Sequence, residues 1–205
     1  FERHGALKAS FEWDQVPLFY SADTRTPFRS ESTGTFRLND AVQAGVQNGT
    51  ATTALFVPES TLFELRSLRE TADARFSYRA AAPLDLKVSF KSTGRTGAQP
   101  WGLSFGQSNA VEIAVPIDHR TNDVNATAEW STERAMARLA YDGSWFNNDI
   151  ETLIWDNPLR LTDLAATPSQ GRMALWPDST AHTVSATGSV ALPARSRGFA
   201  YVSVG

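Results

Sequence analysis

Residues 73–91, DARFSYRAAAPLDLKVSFK, alternate between apolar and polar side chains on both sides of a break at Ala82-Pro83. Phe76 lies in the apolar phase before the break, and Val88 lies in it after the break. Successive side chains of a β-strand point to opposite faces, so each half has one apolar and one polar face. Two such halves joined by a proline-containing turn predict a β-hairpin.

The same alternation recurs along the chain and indicates further strands of the same kind. These lie at residues 7–14, 124–131, 135–142, 183–190 and 199–204. Short turns fall near residues 82, 133 and 195, whereas long connections span roughly 15–71, 94–122 and 145–180. Since the strands run up and down, all short turns lie at one end and all long connections at the other. This asymmetry is typical of outer-membrane β-barrels.

The predicted fold is therefore all-β: a segment of an antiparallel, up-and-down transmembrane β-barrel. It has about six strands, short periplasmic turns and long external loops. Tilted strands of about nine to eleven residues cross a bilayer, and the alternating runs have about that length. The smallest spanning barrels need about eight strands, so we expect residues 1–205 to be one partial domain, truncated at both ends. The alternative is a soluble β-sandwich with aromatic residues in its core, for example one that binds carbohydrate.

Composition argues against several functional classes. The 205 residues carry a net charge of -3 and no cysteine, which gives no sign of a nucleic-acid partner and excludes disulfides and thiolate sites. No apolar run reaches the roughly 18 residues that a transmembrane helix needs. His4, His119 and His182 show no metal-ligand spacing, and no nucleotide-binding motif is present. Gly102–Gly106 resembles the Gly-x-Ser-x-Gly motif of hydrolases only loosely, because no strand-to-helix turn follows it, and it is interpreted as a loop. We therefore expect neither an enzyme nor a directly bound cofactor or metal.

The phase of the alternation divides the candidate functional residues between two faces. The apolar phase predicts side chains that face lipid, namely Phe76, Tyr78, Leu86, Val88, Phe90, Trp130, Leu139 and Tyr141. The polar phase predicts lumen-facing candidates for contact with a partner, namely Arg75, Arg79, Lys87, Lys91, Glu129 and Arg138. In an ordinary porin lumen such charges tune ion selectivity. The other interpretation is a surface that holds an acidic guest, such as the propionates of a haem.

An acidic segment lies in and around the last long connection. Its oxygen-bearing side chains are Asp142, Asn147, Asn148, Asp149, Glu151 and Asp156. Their spacing matches no EF-hand, so a solvated external loop is favoured over a calcium site. The interleaved apolar residues predict that this loop packs against the mouth of the barrel or against a docked partner; they are Trp145, Phe146, Leu153, Ile154 and Trp155.

Several longer segments carry a family resemblance. They are Phe11–Pro17, Gly102–Gly106, Asn109–Ile113, Pro116–Asn125, Tyr141–Phe146 and Trp155–Pro158. In this order they resemble the decahaem-associated outer-membrane β-barrel proteins, the MtrB/PioB family. The resemblance covers nearly the whole chain, as an internal portion of a longer protein. Some members carry a Cys-x-x-Cys pair near the N-terminus, and this chain has none.

The resemblance implies a location in the bacterial outer membrane and a structural role. Members of this family form large barrels that enclose a periplasmic multihaem c-type cytochrome, with an outer-surface cytochrome as a further partner. The barrel then sheathes and anchors the cytochrome, which transfers electrons across the membrane. The transfer runs either outward or, when iron(II) is the electron donor, inward. It carries no haem of its own and has no catalytic residues. A general or substrate-selective porin with an open lumen is the alternative.

Overall fold

The computed structural model describes residues 2–3, 6–81, 83–105, 110–165 and 167–205. Part of the predicted turn near residue 82, and residues 106–109 of the family-like segments, lie outside them. The strands are β1 (Glu2–Arg3), β2 (Leu7–Thr26), β3 (Arg29–Ser32), β4 (Thr35–Arg37), β5 (Thr61–Ala81), β6 (Leu84–Ser104), β7 (Ala110–Ser131), β8 (Ala135–Asn148), β9 (Thr152–Asp156), β10 (Gln170–Ala174), β11 (Ser179–Leu192) and β12 (Ser196–Val204). The helices are α1 (Asp40–Gln47) and a 3-10 turn (Thr53–Phe56).

One large antiparallel sheet dominates the described residues. Its strand order is β1-β2-β5-β6-β7-β8-β11-β12, so sheet neighbours follow one another along the chain except where two connections leave the sheet. The sheet is open, and β1 and β12 are its edges. These features confirm the predicted all-β, up-and-down barrel segment, with seven long strands where about six were predicted.

Four of the long strands, β2, β5, β6 and β7, are more than twice as long as the alternation predicted. β5 and β6 have 21 residues each, and β7 has 22. β6 pairs with β7 from Leu84↔Trp130 to Ser104↔Ala110 without a register shift, so most of the predicted connection 94–122 is strand and that prediction was wrong. At about 3.3 Å per residue, 21 residues extend about 70 Å, whereas a bilayer core is about 30 Å thick. The sheet therefore continues well beyond one membrane surface.

The connections 27–60 and 149–178 fold together into a small unit, here called the cap. Its four-stranded sheet has the order β10-β9-β4-β3, and the parallel pair β4/β9 joins the two connections. α1 begins after Asn39, whose side-chain oxygen accepts hydrogen bonds from the backbone N–H groups of Ala41 (2.9 Å) and Val42 (3.3 Å). The sequence analysis missed this helix, although asparagine before aspartate is a start signal.

The cap packs onto the extended parts of β6 and β7. The shared core combines residues of both, namely Phe28, Leu38, Phe56, Leu153 and Trp155 from the cap and Leu103, Phe105, Ile113 and Val115 from the hairpin. Leu153 and Trp155 thus pack against the extended part of the sheet. Of the two outcomes predicted for this loop, this is packing against the mouth of the barrel. Trp155 also covers Gly171 so closely that a Cβ at that position would lie 2.2 Å from the indole ring.

The alternation changes phase where β7 leaves the apolar band. Between residues 124 and 130 the apolar side chains occupy even positions, but Ile113, Val115 and Ile117 are buried at odd positions. Because the pairing has no shift, the two sets point to opposite faces of the same strand. On the short-turn side of this change, the face that carries the apolar side chains is exposed. On the cap side, the apolar side chains lie on the opposite face, and the cap covers them. This change of surroundings broke the sequence pattern and made a strand resemble a loop.

Asp156 organises the polar interior of the cap. It is buried, and its carboxylate accepts hydrogen bonds from the Leu38 N–H (2.9 Å), Arg37 Nη1 (3.1 Å) and Gln170 Nε2 (3.0 Å). Hydrogen bonds from Arg37 to Glu31 and to Asp156 raise the pKa of the Arg37 guanidinium above its usual value. The neighbouring Asn157 is fully buried, and its amide donates to the Pro168 carbonyl at 2.8 Å. The family-like segment Asp156-Asn157-Pro158 is therefore structural.

Asp156→Ala should destabilise the cap by about 1–3 kcal/mol, because it leaves a buried backbone N–H without its acceptor. The effect can be measured as faster proteolysis or amide exchange of residues 27–60 and 149–178 in the full-length parent protein. Asp149→Ala, which removes an exposed carboxylate from the same connection, is the matched control and should change little. Equal protection of both variants and the wild type would contradict the role assigned to Asp156.

Candidate functional site: the two faces of the sheet

The strand register places all six lumen-facing candidates on one face of the sheet, here called the inner face. Consecutive strands contribute partners such as Arg79↔Asp85, Asp85↔Glu129 and Glu129↔Arg138. Arg75, Lys87 and Lys91 lie at the same parity of their strands. The register thus places these six side chains on the same face, and which face meets lipid stays a prediction.

The inner face is balanced in charge rather than cationic. Arg79 bonds to Asp85 at 2.8 Å, and Arg75 bonds to Asp73 at 2.8 Å. Lys91 lies between Asp73 and Asp123 in the register. Carboxylates thus lie beside most of the bases that suggested a grip on an acidic guest, so the face offers both signs of charge.

Aromatic side chains also occupy the inner face, and the sequence analysis did not predict them there. Phe199 and Tyr201 pair with Ser189 and Thr187 and are 71% and 62% exposed. They lie near the short-turn end of the sheet, on the edge strand β12. Residues 199–202 are apolar in both phases of the alternation, which hid the face to which these rings belong.

A second group of inner-face aromatics lies beside the cap. The ring of His119 lies 5.4 Å from that of Phe146 and 6.5 Å from that of Trp176, and Trp176 lies 6.0 Å from Trp101. His119 Nδ1 is buried without a hydrogen-bond partner. A ring in such surroundings suits packing rather than metal binding.

The opposite, outer face carries all eight lipid-facing candidates. Phe76, Val88 and Leu139 are 45%, 45% and 55% exposed there, and no element of the described part of the chain packs over them. Tryptophans mark both ends of this apolar band. Trp145 lies in the outer-face row of the band that is nearest the cap, and Trp130 lies at the short-turn end. Trp145 pairs with Asn122, eight residues from Trp130, which is about 26 Å along the strand. At the usual strand tilt of about 35–45° this corresponds to about 20 Å in height, close to the apolar band of about 25 Å that outer-membrane barrels have between two aromatic girdles.

The aromatic girdle on the cap side contains His182, which shows no metal-ligand spacing in the sequence. His182 Nδ1 lies 2.8 Å from the Tyr141 hydroxyl, and the Trp145 ring meets the imidazole edge-on at 5.3 Å. Tyr141 and Trp145 both cover Gly143, where a Cβ would lie 2.6 Å from the Tyr141 hydroxyl. The glycine therefore provides a recess that lets these rings lie flat on the sheet.

The acidic segment does not form one site. Asp142 lies on the inner face and accepts a hydrogen bond from Asn125, whereas Asp156 lies inside the cap. Asn147 and Asn148 belong to β8, so their placement in a solvated loop was wrong. In the part of the chain that the structure describes, no cluster of three histidine, aspartate or glutamate side chains is arranged to hold a metal ion. None of the helices there has the length and apolarity of a membrane-spanning helix.

A sheet with an exposed apolar face between two aromatic girdles, and a charged opposite face, is that of an outer-membrane β-barrel. The model of the family described as outer membrane beta-barrel porin, MtrB/PioB, matches residues 1–205, and the chain belongs to this family. The chain is also 27% identical over 188 residues to "Outer membrane protein MtrB" of Shewanella baltica (strain OS185). That match covers 91% of this chain and 26% of the relative, so the chain spans about a quarter of the relative's length.

Proposed function

We propose that the barrel to which this chain contributes sheathes and anchors a periplasmic multihaem c-type cytochrome, and that the inner face contacts this guest. The haem belongs to the cytochrome, and the chain acts as a wall rather than an enzyme. The outer face then meets lipid. An outer-surface cytochrome is a further candidate partner at the cap side.

The position of the cap gives the proposal its main support. The cap is seated on the inner face, so in a closed barrel it would narrow the lumen on the side of the long connections. A narrowed mouth suits a lumen that holds a fixed guest better than one through which solutes pass. Exposed Phe199 and Tyr201 on the same face add support, because aromatic residues are enriched where proteins meet. A face with both signs of charge can complement a guest without binding free ions of one sign.

An open porin is the competing function. The ion pairs of the inner face favour it, because charged side chains line the pores of channels. The two functions differ in what fills the lumen. Purifying the full-length parent protein in mild detergent, followed by haem staining and an optical spectrum, separates them. A co-purifying c-type multihaem band supports the sheath. A colourless barrel that conducts ions in a planar bilayer would rule it out.

Reversing the charges of Arg75, Arg79, Lys87 and Lys91 together should reduce cytochrome retention by more than about tenfold, because like charges facing each other across an interface cost several kcal/mol. Haem absorbance per purified barrel gives the retention. Because Asp73 and Asp85 lose their ion pairs in this variant, heat-modifiable migration on gels must show that the barrel still assembles.

The matched control reverses four bases that lie in the short turns or in the cap, away from the four bases of the inner face. They are Arg134, Arg160, Arg172 and Arg195. It makes the same change in net charge and should leave retention intact. Full retention by the inner-face variant, or equal loss in both variants, would contradict the assignment of these residues to guest contact.

A further inference from the structure

Arg120 occupies a distinct position on the outer face. It lies in β7 one outer-face row above the girdle row of Trp13, Ala72, Ser92, Asn122 and Trp145. Two residues correspond to about 7 Å along the strand, so the guanidinium lies just beyond the apolar band on the cap side. In an outer membrane this is the level at which lipid headgroups begin.

The structure holds the Arg120 side chain in a fixed place. Its guanidinium lies directly over Gly94, where a Cβ would come within 2.9 Å of Nη2. Nη1 donates a hydrogen bond to the hydroxyl of the buried Ser92 at 3.0 Å. A glycine below and a serine beside it therefore hold the charged group flat on the sheet, with its remaining N–H groups available at the outer surface.

The charges around Arg120 leave it without an ion pair. Glu70 lies across Gly94 and accepts a hydrogen bond from Gln15, and Asp118 lies one outer-face row further from the band. Among the described residues, no carboxylate is within ion-pair distance of Arg120, whereas Arg66 on the same face bonds to Glu64 at 3.1 Å. Arg120 is thus a positioned cation without an anionic partner from the protein.

We propose that Arg120 binds a phosphate of an outer-leaflet lipid of the lipid A type, with Trp145 on the next outer-face row towards the apolar band. The fork of a guanidinium matches phosphate oxygens, and charge-assisted bonds of this kind are about twice as strong as neutral ones. Trp145 provides an apolar surface for the first carbons of the acyl chains, which is the usual place of tryptophan at an interface. This site rests on the assignment of the outer face to lipid, and it is independent of the cytochrome.

Arg120→Gln in the full-length parent protein tests the site. Glutamine keeps a donor for Ser92 but removes the charge, so we expect about tenfold less lipid A to be retained through purification in mild detergent, as suits the loss of one charge-assisted bond. Arg134→Gln removes the same charge at the short-turn end and serves as the control; it should retain lipid A as the wild type does. Retention by Arg120→Gln equal to that of Arg134→Gln would overturn the proposal.

The identity of the ligand is tested with vesicles of defined composition. Wild-type protein should gain thermal stability in vesicles that contain lipid A relative to vesicles with dephosphorylated lipid A, and Arg120→Gln should lose this difference. An equal gain from phosphatidylglycerol would overturn the commitment to lipid A phosphate.

Two further measurements keep these results separate from other effects. If Arg120→Gln fails to assemble, Gly94→Ala displaces the guanidinium while keeping its charge, and wild-type retention by that variant would also overturn the site. Haem absorbance measured on the same samples reports cytochrome retention, so failure of the lipid site and failure of the sheath are distinguishable.

Discussion

Replacing Leu153 with aspartate in the full-length parent protein should unfold the cap while the transmembrane sheet stays assembled. Leu153 has 0% exposure and lies in the core that the cap shares with the β6/β7 hairpin. An unpaired carboxylate at such a place costs several kcal/mol, which is enough to detach a unit of this size. The strands below the cap keep their own hydrogen-bonded ladder and do not depend on it.

Two measurements report this effect. Limited proteolysis should cleave within residues 27–60 and 149–178 of the variant, and heat-modifiable migration should show that the barrel persists. If the cap narrows the lumen, the guest-free variant should also conduct ions in planar bilayers better than the guest-free wild type. Leu164→Asp places the same charge in the same connection at a side chain that is 51% exposed, and it should change neither readout. Resistance of the Leu153→Asp cap to protease would contradict the assignment of this core.

Leu139→Arg should impair barrel assembly and lower stability by about 1–2 kcal/mol, because Leu139 lies one outer-face row inside the Trp130 end of the apolar band and the cost of a lipid-facing arginine falls from about 2–4 kcal/mol at the bilayer midplane towards the interfaces. Leu139 is 55% exposed and lies on the outer face between Ala128 and Ala186. No other element of the described part of the chain packs over Leu139, so the loss of stability is expected because this side chain faces lipid. Urea unfolding in lipid vesicles or the folded fraction on gels measures the effect.

Ser185→Arg provides the control for this experiment. Ser185 pairs with Ala140, one residue further along β8 than Leu139, so it lies at nearly the same depth but on the inner face. Its arginine should be tolerated with a small change in stability. If Ser185→Arg were the damaging variant and Leu139→Arg were silent, the two faces would have to be exchanged.

The alternation of side chains was sufficient to predict which side chains share a face of the sheet. Phe76, Val88 and Leu139 fall on one face and Arg75, Lys87 and Arg138 on the other, since a period of two fixes face directly. The actual pairing of charges was not predictable in this way. Whether Arg75 bonds to Asp73 depends on side-chain conformations rather than on parity alone.

The cap could not be predicted, because its order depends on contacts between distant segments. β4 and β9 are short, and their pairing of Thr35 with Ile154 joins residues that are far apart in the chain. The upper part of β7 was missed for a different reason: its apolar residues change phase at the membrane boundary, so the pattern is regular only on each side of that boundary. Searching separately for each phase would have identified Ile113, Val115 and Ile117 as strand.

The unbroken pairing of β6 with β7 has a consequence for mapping the membrane boundary of this barrel. Backbone amides on both sides of the headgroup level belong to one ladder, so they should exchange with deuterium at similarly slow rates although only the lower ones are shielded by lipid. A hydrogen-exchange profile along these strands would therefore show no step at the bilayer surface. Depth-dependent quenching of a label on the outer face would reveal the boundary that amide protection hides.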